Sequence, residues 1–565
     1  MIQIQERNMT RALSACLALL LSLGAFAYCS RDPGARSSGE EETAVSPEAL
    51  PSETVPDEAP APRSSDTAAF VDSTAAFRLR TDRRKADPDE MGLTLCWDGV
   101  ELPRAGGLYF LPVEADFPAA DLLKLSAETD GEDMTVYIDS HLLDIGLSPL
   151  LAHNTRADLC CCSEERYVVL ELCFTTLPVA AADVKRSSLS GNDRKCSFSL
   201  WEMKNGRLRK TDSPATLRIR GASSASLAKT GLKLSLKDAE GEPNKVSLLG
   251  MRKDDDWVLY ASYSDNAHVR DAVGWNLWRK MTENAGLEPS GALETRWVEL
   301  ILGGKYDGFY LMMEPMDQKT LGLDAARGDC LFKCKSWDVP ESAALRRQSA
   351  RAVIWSSLEK KYPDPKNDAE NINGKADWAK IADFVAVCYE TSGEEFTAQA
   401  ESILDTKQIL EYWLFLNLSM AADNTWKNTY YAVTDGKVRA YPWDLDITFG
   451  LGWNGDPANN YLWEQPGMDT RTYDLQAGRR LIKYVKGCAD YVRERYETLK
   501  EAGICSADAL IADAEEQWAI LHGSGAWQRN LERWPSVSTT DSLDYFKSTV
   551  RTHEAWFEEY LASLP

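Results

Sequence analysis

The sequence predicts an α+β protein in which a small β-sandwich-like region precedes a larger domain of mixed strands and helices. Three observations point there. Short apolar runs alternate with turn signals up to about residue 200. Two strictly alternating segments, starting at Thr216 and Leu232, flank a run of small side chains. Between Thr406 and Gly450 a helix, a polar loop, a hairpin and an acidic strand end follow one another.

At 565 residues the chain exceeds one ordinary core, so several are expected. Hydrophobic residues at 44% and charged residues at 27% are ordinary globular proportions. The formal charge of −24 offers no long-range attraction for phosphate, which argues against a whole-chain nucleic-acid or anionic-membrane binder. Any phosphate must be held by local groups, and most of the acidity reads as solvated surface.

Residues 1–27 read as a signal peptide: Arg7 and Arg11 precede an apolar run, Ala12 to Ala27, too short for a comfortable membrane span. Ala25-Phe26-Ala27 has the small-x-small form of a cleavage site. Cys29 offers a lipid anchor instead, although Tyr28 and Phe26 depart from the residues a lipobox prefers. The protein is therefore expected to be exported, either secreted or tethered to the outer face of the cell membrane. Residues 28–68 are rich in Ser, Glu, Pro and Ala, cannot repay the entropy of ordering, and read as a disordered linker.

In residues 69–205 the runs Leu93 to Leu95, Gly107 to Leu111, Met134 to Ile138 and Tyr167 to Phe174 read as strands of a small sandwich, with a spacer or adhesion role. The 13 cysteines form no regular framework. Cys160-Cys161-Cys162 and the pair Cys330 and Cys334 read as buried thiols or a disulfide rather than zinc ligands, and the five histidines show no ligand spacing.

Residues 206–565 carry the chemistry. The alternating strands Thr216 to Arg220 and Leu232 to Lys237 enclose Gly221 to Ser226, whose small side chains let backbone approach a ligand and present amides or hydroxyls to phosphate oxygens. If the second strand extends back to Lys229, Lys229 and Lys233 leave it on one face. A helix is expected from Asp265, a good N-cap, to Gly286. A hairpin follows, turning at Gly303-Gly304-Lys305 and ending at Glu314. Farther on, a helix from Thr406 stops at Asp423-Asn424-Thr425-Trp426-Lys427-Asn428. A strand, an Asp435-Gly436 turn and a second strand lead to Pro442-Trp443-Asp444-Leu445-Asp446.

Phosphoryl transfer needs that order. A loop carboxylate, Asp423, can orient or accept the proton of an acceptor hydroxyl. Asn428, at the D-x4-N spacing of a kinase catalytic loop, together with Asp444 and Asp446 after the hairpin, offers oxygen ligands to a hard cation. The tail from Ala477 to Leu564 has helical periodicity, with its aromatics assigned to core packing.

These residues resemble the CotH (spore-coat protein H) kinase family. The resemblance rests on Arg220-Gly221-Ala222-Ser223-Ser224, Lys229 with Lys233, Asp254 to Ala261, Arg270, Gly308 to Glu314, Asn428-Thr429-Tyr430 and Pro442 to Gly450. It implies an atypical protein-kinase-like, two-lobed catalytic domain using ATP with Mg2+ or Mn2+ and phosphorylating Ser/Thr in proteins; with export, the expected substrate is a cell-surface or envelope protein, or else another acceptor such as a polyphosphate. It assigns Asp423 as the catalytic carboxylate and Asn428, Asp444 and Asp446 as metal ligands. It places Arg220, Ser223, Ser224 and either Lys229 or Lys233 at the nucleotide, and Glu314 near the nucleotide hinge. Ala222 stands where the family commonly has Asn.

The competing expectation is a non-catalytic surface or adhesion protein built on the same fold, since ATP is scarce outside cells. In its plainest form Asp444 and Asp446 only cap a strand end and pair with Arg218 or Arg270.

Overall fold

The computed structural model describes residues 67–452 and 475–565; the expected signal peptide, Cys29 and nearly all of the expected linker lie outside the described residues. Among the described residues no helix is long and apolar enough to cross a membrane.

The region expected to be a sandwich forms two sheets on one core. In the larger, Ala68–Val71, Thr135–Asp139, Ala157–Cys162, Arg166–Thr175, Leu108–Pro112 and Arg104–Ala105 lie side by side, with Arg84–Lys85 also on Arg166–Thr175. The smaller comprises Val100–Glu101, Thr94–Trp97 and Leu125–Glu128. Leu95, Trp97 and Leu125 from one sheet and Val136, Ile138, Leu159 and Leu170 from the other share a buried cluster. The larger sheet is mixed, because Ala68–Val71 runs parallel to Thr135–Asp139 and Leu108–Pro112 parallel to Arg166–Thr175. Parallel pairing requires long crossovers, which local turn signals do not reveal.

A closed seven-stranded barrel follows, in the order Val179–Ala182, Arg194–Lys204, Arg207–Ile219, Leu232–Leu236, Asp256–Tyr260, Lys305–Met313 and Thr295–Leu302. It closes where Val179–Ala182 lies parallel to Thr295–Leu302. Arg194–Lys204 and Arg207–Ile219 form one long hairpin turning at Asn205-Gly206, so the boundary expected between 205 and 206 falls inside a single ladder. The barrel instead starts at Val179, a pairing too long-range to read from local pattern.

Period-two alternation builds both faces of this barrel. Trp257, Leu259, Tyr310 and Met312 point into its interior cluster. Val258, Phe309, Leu311 and Met313, between them in sequence, join the core outside, with Val273, Leu277 and Met281 of helix Arg270–Ala285. Each such buried apolar side chain contributes about 1.5–3 kcal/mol. The helix starts at Arg270, later than expected. Asp265 still serves its start from the preceding loop, accepting the Arg270 N–H at 2.7 Å.

The remainder is a five-stranded antiparallel sheet, in the order Ile354–Trp355, Leu358–Tyr362, Cys330–Cys334, Thr429–Thr434 and Lys437–Pro442, packed with helices. Helix Thr406–Leu418 is buried from Gln408 to Leu418, consistent with an apolar character on every side. Asp405 caps it, accepting the Gln408 N–H and pairing with Arg439 at 2.8 Å. Its one buried acid, Glu411, is met by Arg495 at 2.5 Å and Tyr491 at 2.6 Å. Helices Gln476–Tyr484, Cys488–Glu501, Ala507–Gly523, Ala526–Arg533 and Asp544–Ser563 complete this core, with Trp527 buried in it as the tail's aromatics were expected to be. The described cysteines are free thiols, all buried except the half-buried Cys196.

Candidate functional site

Three elements meet at the end of the Thr429–Thr434 and Lys437–Pro442 hairpin. The first is the loop after helix Thr406–Leu418. Met420 turns the chain with φ 51°, a single 3-10 turn spans Ala422–Asn424, and Asn428 turns it back with φ 57°. Inside this loop the Asn428 amide Nδ2 donates to Asp423 Oδ2 at 2.8 Å, and Lys427 Nζ donates to the same oxygen at 2.7 Å. With Nδ2 so engaged, the Asn428 carbonyl Oδ1 is the atom that could accept from or ligate a further group. Asn424 ties the loop to the hairpin, its Nδ2 donating to Trp443 O at 2.7 Å and Asn428 O at 3.2 Å.

The second element is the strand end. Asp444 adopts φ 65°, in the left-handed region, and accepts the Tyr260 hydroxyl at 2.7 Å. The third is the start of helix Arg270–Ala285. Asp271 Oδ1 accepts the Leu445 N–H at 2.9 Å, while its Oδ2 is buried without a hydrogen-bond partner. Helix and turn touch at Gly274, where an added Cβ would stand 2.9 Å from Leu445 Cδ1.

Asp271, Asp444 and Asp446 thus converge, and their charges oppose one another. Burial, then Asp444 and Asp423, push the Asp446 carboxyl up to about 8. Burial, then Asp446 and Asp444, hold Asp271 well above the ordinary carboxylate range. Asp423 is raised by burial and partly restored by Lys427. Neither arginine considered as a partner answers this charge: Arg218 pairs with Asp193 at 3.2 Å, and Arg270 with Asp265 and Thr448 O.

Among the described residues no three His, Cys, Asp or Glu side chains form a ready metal cage. The donor set nevertheless fits a divalent cation in kind: carboxylate and amide oxygens, crowded negative charge, and one orphaned buried oxygen on Asp271.

Two cations approach the Trp443 ring. The Arg220 guanidinium lies 4.9 Å from the Trp443 ring centre and Lys333 Nζ 5.3 Å from it, with Lys333 also 5.5 Å from the Tyr430 ring. Lys333 sits on strand Cys330–Cys334, opposite Tyr430.

The other residues predicted for the nucleotide have partners or surroundings of their own. The strand begins at Leu232, so Lys229 precedes it and does not share its face with Lys233. Lys229 is fully buried, donating to Phe309 O at 2.5 Å, and burial pulls its ammonium down to about 7. Lys233 pairs with Asp256 at 2.8 Å. Ser223 and Ser224 occupy an exposed turn, reached through Gly221 at φ 119°. Glu314 accepts the Arg252 N–H at 3.1 Å. Among the described residues, no hydrogen bond or ion pair joins Lys229, Lys233 or Glu314 to Asp423, Asn428, Asp444 or Asp446.

Asp271, Tyr260, Lys427 and Lys333 belong to the site without having been read from the sequence. Asp271 and Tyr260 adjoin or lie within motifs already noted. Lys333 left one local signal, a lone cation in the otherwise apolar run Cys-Leu-Phe-Lys-Cys.

A family model described as CotH kinase protein matches residues 217–560. No curated protein matches the chain.

Proposed function

Because the chain belongs to the CotH kinase protein family, we propose that it is an exported kinase that transfers the γ-phosphoryl group of metal-bound ATP to Ser or Thr of a surface or envelope protein. We read the barrel with helix Arg270–Ala285 as the amino lobe of an atypical protein-kinase-like fold, and the five-stranded sheet with its helices as the carboxy lobe.

The observation that carries this reading is the hydrogen-bonded pair Asp423 and Asn428, fixed by Asn424 to the same hairpin end that presents Asp444. A Mg2+ or Mn2+ ion, held by Asn428, Asp444 and Asp446, would neutralise phosphate charge and align the transferred group. Asp271 positions that turn through Leu445. Asp423 receives the acceptor hydroxyl's proton as the new P–O bond forms and the bond to ADP breaks. Lys427 fixes Asp423's orientation and favours its ionised form.

The test is mass-spectrometric detection of phospho-Ser or phospho-Thr on the protein itself, or on an added unstructured polypeptide, after incubation with ATP and Mg2+ or Mn2+. Modification that requires the metal and vanishes in Asp444→Ala/Asp446→Ala is the expected result. Absence of modification together with absence of nucleotide binding would replace this reading with that of a non-catalytic surface-binding protein.

A further inference from the structure

The two cations beside Trp443 are unusual for their surroundings. In a chain with 87 acidic residues against 63 basic ones, a cation readily finds a carboxylate. Yet among the described residues neither the Arg220 nor the Lys333 side chain has a hydrogen-bond or ion-pair partner; each stands over aromatic rings instead. Lys333 is half-buried, and burial followed by repulsion from Arg220 lowers its ammonium to about 8 against the weaker pull of Asp444 and Glu359. Leaving two like charges together, partly desolvated and unpaired, costs stability. An anion held between them would offset that cost.

The location specifies the anion. Lys333 lies opposite Tyr430 in the strand following the Asp423 loop, and Arg220 opens the small-residue loop Gly221 to Ser226. Trp443, which both cations approach, is followed directly by Asp444. Cations and carboxylates set this close together complement a ligand that itself carries both signs of charge: a polyphosphate with a divalent ion.

We propose that Lys333 and Arg220 together form the polyphosphate-binding clamp of this protein. Lys229 is then an interior structural lysine, locked between the Phe309 and Tyr310 rings at 4.5 Å and 4.6 Å, and Lys233 a partner of Asp256. The clamp rests on the proposed kinase reading and adds the residues that grip the phosphates. Its ligand chemistry is shared by a nucleoside triphosphate and by inorganic tripolyphosphate.

The experiment is calorimetric titration of the full chain with ATP and, separately, tripolyphosphate, both with excess Mg2+ at fixed ionic strength. Wild type is compared with Lys333→Met, Arg220→Met and Lys233→Met, alongside thermal melting without ligand. Losing a charge-assisted contact weakens binding about 10–100-fold. We expect that loss for both ligands in Lys333→Met and Arg220→Met, and wild-type affinity in Lys233→Met. Ligand-free Lys333→Met should also melt no lower than wild type, because it removes an unpaired cation; a purely structural lysine would lower the melting temperature. Unchanged affinity in Lys333→Met overturns the clamp and leaves the kinase reading standing. Tripolyphosphate binding without ATP binding keeps the clamp and sinks the kinase reading. Failure of wild type to bind either ligand overturns both.

Discussion

Asn428 and Asp444 carry left-handed backbone, at φ 57° and 65°, and such conformations cost about 1–3 kcal/mol each for residues other than glycine. Both were legible from spacing alone, since D-x4-N and the acidic strand end are local patterns. Their partners were not: Asp271 reaches Leu445 across 174 positions, and Tyr260 reaches Asp444 across 184. Away from the site, His522 packs against both Trp518 and Trp527, at 4.2 Å and 4.4 Å, and burial lowers its imidazole to about 4. The unfolded chain, with an ordinary histidine, then binds more protons than the folded one between about pH 4 and 6.5. Stability is therefore lost as pH falls through that window. His522→Phe keeps the stack and removes this proton uptake. Melting curves from pH 7 to 4 should fall less steeply for His522→Phe, and an identical slope would contradict the assignment.

At the scale of elements, the contact between helix Arg270–Ala285 and the Asp444-Leu445-Asp446 turn positions the carboxylates. Gly274→Val places carbon where Leu445 now packs. Overpacking of this kind costs about 1–3 kcal/mol. It should also displace the Leu445 N–H from Asp271, so Mn2+ affinity by electron paramagnetic resonance should fall along with the denaturant midpoint. A loss of stability with unchanged Mn2+ affinity would separate the helix from the site. Elements with local chemistry were readable in advance. The Gly303-Gly304 turn has φ 52° and 71°, and Asp435-Gly436 51° and 77°, the positive values that tight hairpins require. The start of helix Arg270–Ala285 was misplaced because Asp265 serves Arg270 from a loop rather than as an N-cap.

Across the molecule, Arg529 links three regions. Its guanidinium bridges both oxygens of Glu299 in the barrel, at 2.7 Å and 2.8 Å, and reaches Asn154 of the amino-terminal region at 2.6 Å. Both members of the ion pair are buried. Arg529→Met leaves the Glu299 carboxylate without its cation and should cost about 3–5 kcal/mol, read as a large drop in melting temperature; Arg529→Met with Glu299→Gln should recover much of it. An unchanged melting temperature in the single variant would contradict this linkage. Long-range organisation was the part least visible in sequence. Closure of the barrel by Val179–Ala182 against Thr295–Leu302, and the approach of Lys333 to Trp443, depend on pairing across the chain rather than on neighbouring residues. The family resemblance, by contrast, was carried by short ordered motifs and agrees with the family model over residues 217–560.

The central claim is that Asp423 acts on the acceptor while Asn428, Asp444 and Asp446 hold the metal. Nucleotide binding and phosphoryl transfer measured on the same preparation of Asp423→Asn test it most directly. The account predicts Mg2+-dependent ATP affinity within a few-fold of wild type, with transfer slower by about 100-fold or more. Equal loss of both, or transfer at the wild-type rate, would contradict it.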